Sequence, residues 1–466
     1  MAGPGPVFDG VIAGAGAAGL LAALRAADRG ATVALLDSFT GQQSNLWASS
    51  GLFSAAGTRF QRAAGVEDGP ARWAGDIRRK TQGAVDPVIL DSVTGRSADV
   101  AHFLADRVGL ALHLNTGLVL PGHTAPRLHS TAQGSGRELA ALLLAAVERQ
   151  PAITVLTQTE ATALLVEDGA VRGLRTRSGE AVRGRHVLLA TGGFASNAAM
   201  IARHAPEILG AVNIGRGAND GWALEQGAAL GGETLLMDSY QGQGHTTPDG
   251  SGRLGPGLTS YGAVVVNSLG QRFADESMGP SEFGACVLAQ PGRCAVELFD
   301  RRIHEQALGL STYRAVYASG AIVEAETLAG IAAAFGVPPA ALERTMAAHR
   351  ASVAGAPDAF GRRLALHALA PPFMAARVTG ALVHTQGGLR VDAAARVLRP
   401  DGSAIAGLLA AGGAAASISG HGAAGYLPGN GLGQAFALGL IAAETIAAGT
   451  IAGKTAAGIA AFRAPT

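Results

Sequence analysis

Cysteine is nearly absent: Cys286 and Cys294 are the only two among 466 residues. Two thiols cannot build a disulfide framework or a multi-thiolate zinc site, so no metal centre is expected. No Cys-x-x-Cys-His occurs, which excludes a c-type haem attached to this polypeptide. Charge is scarce too, at 15% of residues, and nearly balanced, with 36 basic against 35 acidic side chains. Without a basic run there is no electrostatic footprint for nucleic acid. Low net charge and the lack of a glycine period also exclude disordered and collagen-like chains. Met1–Pro6 has no basic region ahead of an apolar core, so no secretory signal is read there and a cytoplasmic location is expected.

One absence points the other way. Residues 403–443 contain no Asp, Glu, Lys or Arg, and a membrane-spanning helix needs ~20 predominantly apolar residues. Glycines and the polar Ser417, Ser419, His421, Asn430 and Gln434 interrupt this run, and Pro428 would break it. A buried segment rather than a membrane span is expected.

What the chain does have is glycine, 67 residues, and 48% hydrophobic residues. Phe8–Ala13 reads as a strand, Ala17–Arg29 as a helix and Ala31–Asp37 as a second strand, the opening of a doubly wound sheet. Ser97–Leu112 reads as a helix capped by Ser97, and Gly242–Gly257 as a loop. The expected fold is α/β, with one domain made from both ends of the chain and a second domain inserted between them.

Between the first strand and helix lies Gly14-Ala15-Gly16-Ala17-Ala18-Gly19. In a chain this rich in glycine, three glycines at that spacing recur by chance about once. Context gives the match its weight. It follows a strand and opens a helix, and Asp37 ends the next strand, where a ribose-binding acid belongs. The glycines let the backbone approach a pyrophosphate, and the helix N-terminus offers free N–H groups. Two further strands end on glycine, at Thr191-Gly192-Gly193 and Ala411-Gly412. Such turns cover an extended cofactor and favour FAD over NAD.

These segments resemble the flavoprotein family of soluble fumarate reductase and succinate dehydrogenase, which includes the 3-ketosteroid dehydrogenases. The resemblance spans nearly the whole chain and implies a Rossmann-like FAD-binding domain from residues 1–237 and 384–466, with an inserted α+β capping domain over 238–383. It is carried by the fingerprint, by 49–58 (Ser-Ser-Gly-Leu-Phe-Ser-Ala-Ala-Gly-Thr), by Asn219-Asp220-Gly221, by 264–273, by His384-Thr385-Gln386-Gly387-Gly388 and by Gly429-Asn430. It implies non-covalent FAD bound by Gly14, Gly16, Ala18, Gly19, Asp37, Ser38, Ser44, Asn45, Ser50, Gly51, Ala56, Gly57, Thr58, Ala161, Thr191, Gly192, Asn219, Asp220, Gly412, Gly429, Asn430 and Leu432. It also implies hydride transfer between flavin N5 and a carbon near a carbonyl or carboxylate, making or removing a C=C bond.

The family's catalytic positions carry over unevenly. His384 stands at the substrate-binding histidine, and His245, on the expected loop, matches another. Pro280 occupies the proton-delivering position, and proline has no proton to deliver. The Glu and Arg before the Val264 strand fall on Pro256 and Thr259, and the carboxylate-clamping arginine falls on Tyr426. Tyr426 instead resembles the ketosteroid-type tyrosine that polarises a ketone. Tyr261, Tyr240 or Glu282 could act as the base, and Trp47 and Phe53 are expected to pack against the flavin. The expected activity is desaturation α,β to a ketone or similar carbonyl. The alternatives are a reductase of an unsaturated carboxylic acid and a non-catalytic FAD-binding protein. The partner is a small molecule of one of those classes, and the sequence leaves the electron acceptor or donor open.

Overall fold

A computed structural model describes residues 6–450 apart from 40–42, 118, 121, 133, 256 and 363–366. It has a mixed helix–sheet fold in two units: Met1–Met200, Gly215–Ser239 and His384–Thr466 form one, and Ile201–Ile214 with Tyr240–Val383 the other.

The first unit is organised by an eight-stranded sheet. Val7–Ala13 lies between Val33–Leu36 and Ala181–Leu189, parallel to both, with Ala13 opposite Leu36 and Leu189. Ile153–Leu156 and Ala404–Ala410 extend the parallel core on its two sides. Strands buried on both faces read as unbroken apolar runs, and Val33–Leu36 is such a run, fully buried. An antiparallel hairpin, Ala161–Glu167 with Ala170–Thr176, joins the sheet along Ala181–Leu189.

Two helices from opposite ends of the chain pack together on this unit. Ala17–Asp28 buries Leu20, Leu21 and Leu24 completely. Asn430–Ala448 lies against it so closely that a Cβ at Gly439 would stand 2.5 Å from the Ala18 carbonyl oxygen. Glu444 on the later helix takes Arg25 at 3.1 Å, Arg29 at 3.2 Å and Arg96 at 2.6 Å. By length and composition alone Asn430–Ala448 is apolar enough to cross a membrane; 67% of that window is buried inside the protein.

The second unit has a six-stranded sheet centred on Phe373–Thr385 and Cys294–Asp300, which run antiparallel. Val264, Val265, Val266, Leu298, Phe299 and Ala375 form part of its core. Val212–Asn213 pairs parallel with Ala381–Leu382, which draws Ile201–Ile214 into this unit. A two-residue strand leaves no periodicity in the sequence to announce it.

Two expectations about local structure are corrected. The start of the supposed loop 242–257 is strand, Tyr240–Thr246. Its glycines make room for a helix: a Cβ at Gly242 would meet the Ser281 oxygen at 3.0 Å, and one at Gly244 would meet Phe283 at 2.7 Å. Ser97 is not a cap. The helix starts at Pro87 behind Asp86, whose carboxylate accepts the Val88 and Ile89 N–H groups, while Ser97 is buried mid-helix.

Candidate functional site

The three fingerprint glycines are glycine for different reasons. Gly14 has φ +105°, and a Cβ there would stand 2.4 Å from the Ala190 oxygen. At Gly19 a Cβ would stand 1.9 Å from the Gly14 oxygen. Both are required by the protein's own backbone. At Gly16 nothing lies within 4 Å, so the protein alone does not demand glycine there. The helix beginning after Gly16 has no side-chain N-cap, and its leading N–H groups suit a phosphate.

Asp37 faces the same turn. Its Oδ2 accepts the Ala15 N–H at 2.6 Å and its Oδ1 the Phe39 N–H at 2.7 Å. Burial pushes its carboxyl up from the usual value, and the two backbone bonds oppose that. Each carboxylate oxygen retains a second acceptor site for a ribose hydroxyl. Ala18 abuts Gly412, where a Cβ would come within 3.3 Å of its methyl. Gly192 (φ +90°) lies against the Asn219 side chain, whose amide donates to the Arg216 carbonyl. Asn45 accepts the Arg216 N–H at 2.7 Å, and Ser44 caps the short helix Asn45–Ala48. Asp220 accepts the Trp222 N–H at 3.0 Å. Gly51 (φ +69°) and Gly57 (φ +74°) are turns. Thr191 and Ala161 are half-buried, and Ser38 and Ser50 are exposed.

Other expected contacts turn inward. The Thr58 side chain is wholly buried, capping Arg59–Ala63 and meeting His129 Nε2 at 3.0 Å. The Ala56 N–H is held by Ser97 at 3.0 Å. Phe53 stacks on His129 and meets Phe436 edge-on, which makes it a core residue and not a flavin contact.

A second cluster forms where three segments are tied together. The Gln386 N–H bonds the Ser239 carbonyl at 2.8 Å, and the Ser417 N–H bonds the Gln386 carbonyl at 3.1 Å. Gly387 and Gly388 permit this closeness, since Cβ atoms there would each stand 2.4 Å from neighbouring backbone. His384 follows from this turn, and its ring lies over the first turn of Asn430–Ala448, with Nε2 3.2 Å from the place of a Gly431 Cβ. Tyr426 is buried, four residues before the start of that helix. Burial raises the phenol's pKa, so it keeps its proton. Gly429 has φ +82° and precedes Asn430 and Leu432. Asn430 is 1% exposed, yet neither its Oδ1 nor its Nδ2 has a partner among the described residues. A buried polar group left unpaired costs about 1–3 kcal/mol, so this amide points to a ligand. With open space at Gly16, it makes the chain fit a bound dinucleotide.

Sequence reasoning missed two participants in this cluster. Ser54 donates its backbone N–H to the Gly429 carbonyl at 3.1 Å, a pairing that no local pattern signals. His421, within the charge-free run, has Nδ1 3.0 Å from both oxygens of Asp238.

The expected participants from the second unit stand differently. His245 is not on a loop. It is 1% exposed in Tyr240–Thr246, with Nδ1 2.9 Å from Glu297 and its ring stacked on Phe283 at 5.0 Å. That is the environment of a core histidine. Tyr240 is wholly buried, and Tyr261, half-buried, ends a short helix packed on the core. Pro280 is the first residue of the helix Pro280–Leu288, a position proline favours because its missing N–H is not needed there. Thr259 is buried, its carbonyl accepting Arg362 at 2.7 Å. Pro256 lies outside the described residues. Among the described residues no group of three or more His, Cys, Asp or Glu could hold a metal ion.

Comparison with known proteins places these features in context. The family described as FAD binding domain matches residues 9–432. NADH:fumarate oxidoreductase of Klebsiella pneumoniae is 28% identical over 446 residues, 94% of this chain and 47% of that protein. The 3-oxosteroid 1-dehydrogenase of Mycolicibacterium smegmatis is 30% identical over 358 residues, 67% of this chain and 62% of that one. The chain thus spans between about half and two thirds of the length of these relatives. The open conformation of a flavocytochrome c3 fumarate reductase superposes with a TM-score of 0.83 at 27% identity, covering 96% of this chain and 79% of the other.

Proposed function

The chain belongs to the FAD binding domain family, and from that premise we propose that it is an FAD-dependent oxidoreductase introducing a C=C bond α,β to a ketone or similar carbonyl. The proposed architecture is a Rossmann-like FAD domain from both chain ends and an inserted cap over 238–383. FAD is held without a covalent link by the Gly14–Gly19 turn, Asp37, Gly412 and Asn430. When bound, it takes up the hydride leaving the carbon β to the carbonyl.

The observation that carries this reading is the pair of neutral side chains at the start of Asn430–Ala448. The buried Tyr426 phenol keeps its proton, which it donates in a hydrogen bond to the substrate oxygen. That donation stabilises charge developing there and acidifies the α carbon. His384 Nδ1 lies 3.2 Å from the Thr385 carbonyl. A carbonyl only accepts, so Nδ1 carries the hydrogen and Nε2 the lone pair. Nε2 takes the α proton while the hydride leaves the β carbon, and the C=C bond forms between the two. This division of labour supplies the base that Pro280 cannot.

Burial pushes the His384 pKa below its ordinary 6.5. The ring accepts a proton only when neutral, so the reductive half-reaction should be flat from pH 8 down to about 6.5 and fall only at lower pH. A rate that drops with a midpoint at or above 6.5 would remove His384 from this role.

A neutral phenol donor suits a ketone better than a dicarboxylate, whose recognition relies on directional arginine pairs. Anaerobic mixing with cyclic ketones, enones and unsaturated acids tests this: a saturated ketone should bleach the visible flavin band. Chemically reduced enzyme should be reoxidised only slowly by fumarate, and fast reoxidation would overturn the assignment. One observation supports a second reading, reduction of an unsaturated carboxylic acid. The guanidinium of Arg253 is half-buried without an acceptor among the described residues, and burial lowers its pKa. Such a cation suits an anionic ligand.

A further inference from the structure

We propose that His123 is a positioning residue for Tyr426: it holds the Tyr426–Gly429 turn through the Pro428 carbonyl, as an Nε2–H tautomer dictated by Arg127. The inference rests on the role proposed for Tyr426. His123 is buried, with Nε2 2.9 Å from the Pro428 oxygen and Nδ1 3.1 Å from Arg127 Nη1. A guanidinium has only donors, so Nδ1 must accept, and the ring hydrogen sits on Nε2, aimed at Pro428. Burial and the adjacent Arg127 charge oppose a second proton, although the bond to Pro428 favours one.

Arg127 is itself immobilised. It is wholly buried, forks onto Asp68 at 2.9 and 3.0 Å, and also donates to Asp76. Asp76 in turn accepts the Thr124 N–H at 2.9 Å, and Asp68 accepts Gln61 Nε2 at 2.8 Å. Every buried charge in the cluster is paired, which is the condition for such a network to be rigid. The turn it supports is gripped from a second side. Ser54 Oγ donates to the same Pro428 oxygen at 3.2 Å, and a Cβ at Gly122 would come within 3.3 Å of Leu427. Tyr426 lies two residues before Pro428 on this turn, its N–H held by the Ala423 carbonyl at 3.4 Å, and Asn430 N–H closes the turn onto the Leu427 carbonyl at 3.2 Å. Losing the His123 bond leaves the Pro428 carbonyl on Ser54 alone and loosens the segment that carries the Tyr426 ring.

The test uses the FAD-loaded protein. In wild type labelled with ¹⁵N-histidine, NMR should show His123 with a bare Nδ1 and a protonated Nε2, its signals assigned by their loss in His123→Gln. With 3-fluorotyrosine in place of the five tyrosines, the Tyr426 ¹⁹F signal is assigned from Tyr426→Phe. His123→Phe should move that signal and leave the other four in place. His123→Gln, whose amide N–H reaches toward the same carbonyl, should leave it near its wild-type position. On the fastest ketone of the panel, His123→Phe should lower kcat on the order of tenfold to a hundredfold with little change in KM. Adding it to Tyr426→Phe should cost nothing further. A protonated Nδ1 in wild type, an unmoved Tyr426 signal in His123→Phe, or additive rate losses would each overturn the proposal. Should His123→Phe not fold, the wild-type tautomer and the His123→Gln spectrum still decide. If Tyr426→Phe turns over like wild type, the proposed function fails, while the NMR arms still judge whether His123 holds the turn.

Discussion

Replacing Gly16 by valine should give a folded, colourless protein. The backbone at Gly16 has φ −80°, which any residue adopts, and no protein atom lies within 4 Å of the place where a Cβ would stand. Valine thus fits the apoprotein, and its melting temperature should match that of wild-type apoprotein. The branched side chain instead fills the space beside the uncapped N–H groups of the following helix, where a pyrophosphate must approach. Affinity for FAD should fall at least a hundredfold, about 2.8 kcal/mol. FAD released per chain on denaturation is the measurement, and full occupancy in Gly16→Val would refute the site. Flavin that stays with the denatured wild-type chain would refute non-covalent binding. Valine at Gly14 or Gly19 should behave differently and cost the fold, because a Cβ there meets backbone at 2.4 or 1.9 Å.

Tyr426→Phe should retain FAD and lose turnover. Tyr426 is buried, and its ring keeps its packing in phenylalanine. Removing one oxyanion donor costs on the order of a hundredfold or more in rate. The loss should appear in kcat, because the bond strengthens as charge develops on the substrate oxygen. The ring is kept, so the melting temperature should stay near that of wild type. Unchanged kcat would remove Tyr426 from this role.

The parts of this molecule that could be read in advance are those where local chemistry decides. Val7–Ala13, Ala17–Asp28 and Val33–Leu36 lie where the apolar runs and Gly14–Gly19 indicate, because a strand buried on both faces and a glycine turn leave local signatures. What could not be read depends on partners distant in the chain. Gly242 and Gly244 suggest a loop until helix Pro280–Leu288 is seen to need their missing side chains. His245 has the same local sequence whether it lines a cleft or pairs with Glu297, 52 residues away. Phe53, beside an expected flavin turn, is claimed by Phe436 and His129. His384 and Tyr426 were singled out by family position, but that the His384 ring lies over the first turn of the final helix is known only from the fold.

The interlock of Ala17–Asp28 with Asn430–Ala448 also has a meaning in time. Arg25 and Glu444 are 419 residues apart, and at ~5–20 residues per second a ribosome needs roughly 20–80 s to make the intervening chain. Throughout that interval the apolar face of the first helix lacks its partner, and Asn430 does not yet exist. Contacts this distant in sequence form late and slowly. Flavin loading through Asn430 then waits until that residue has been made, and the first helix is without its partner until the ribosome has passed Glu444.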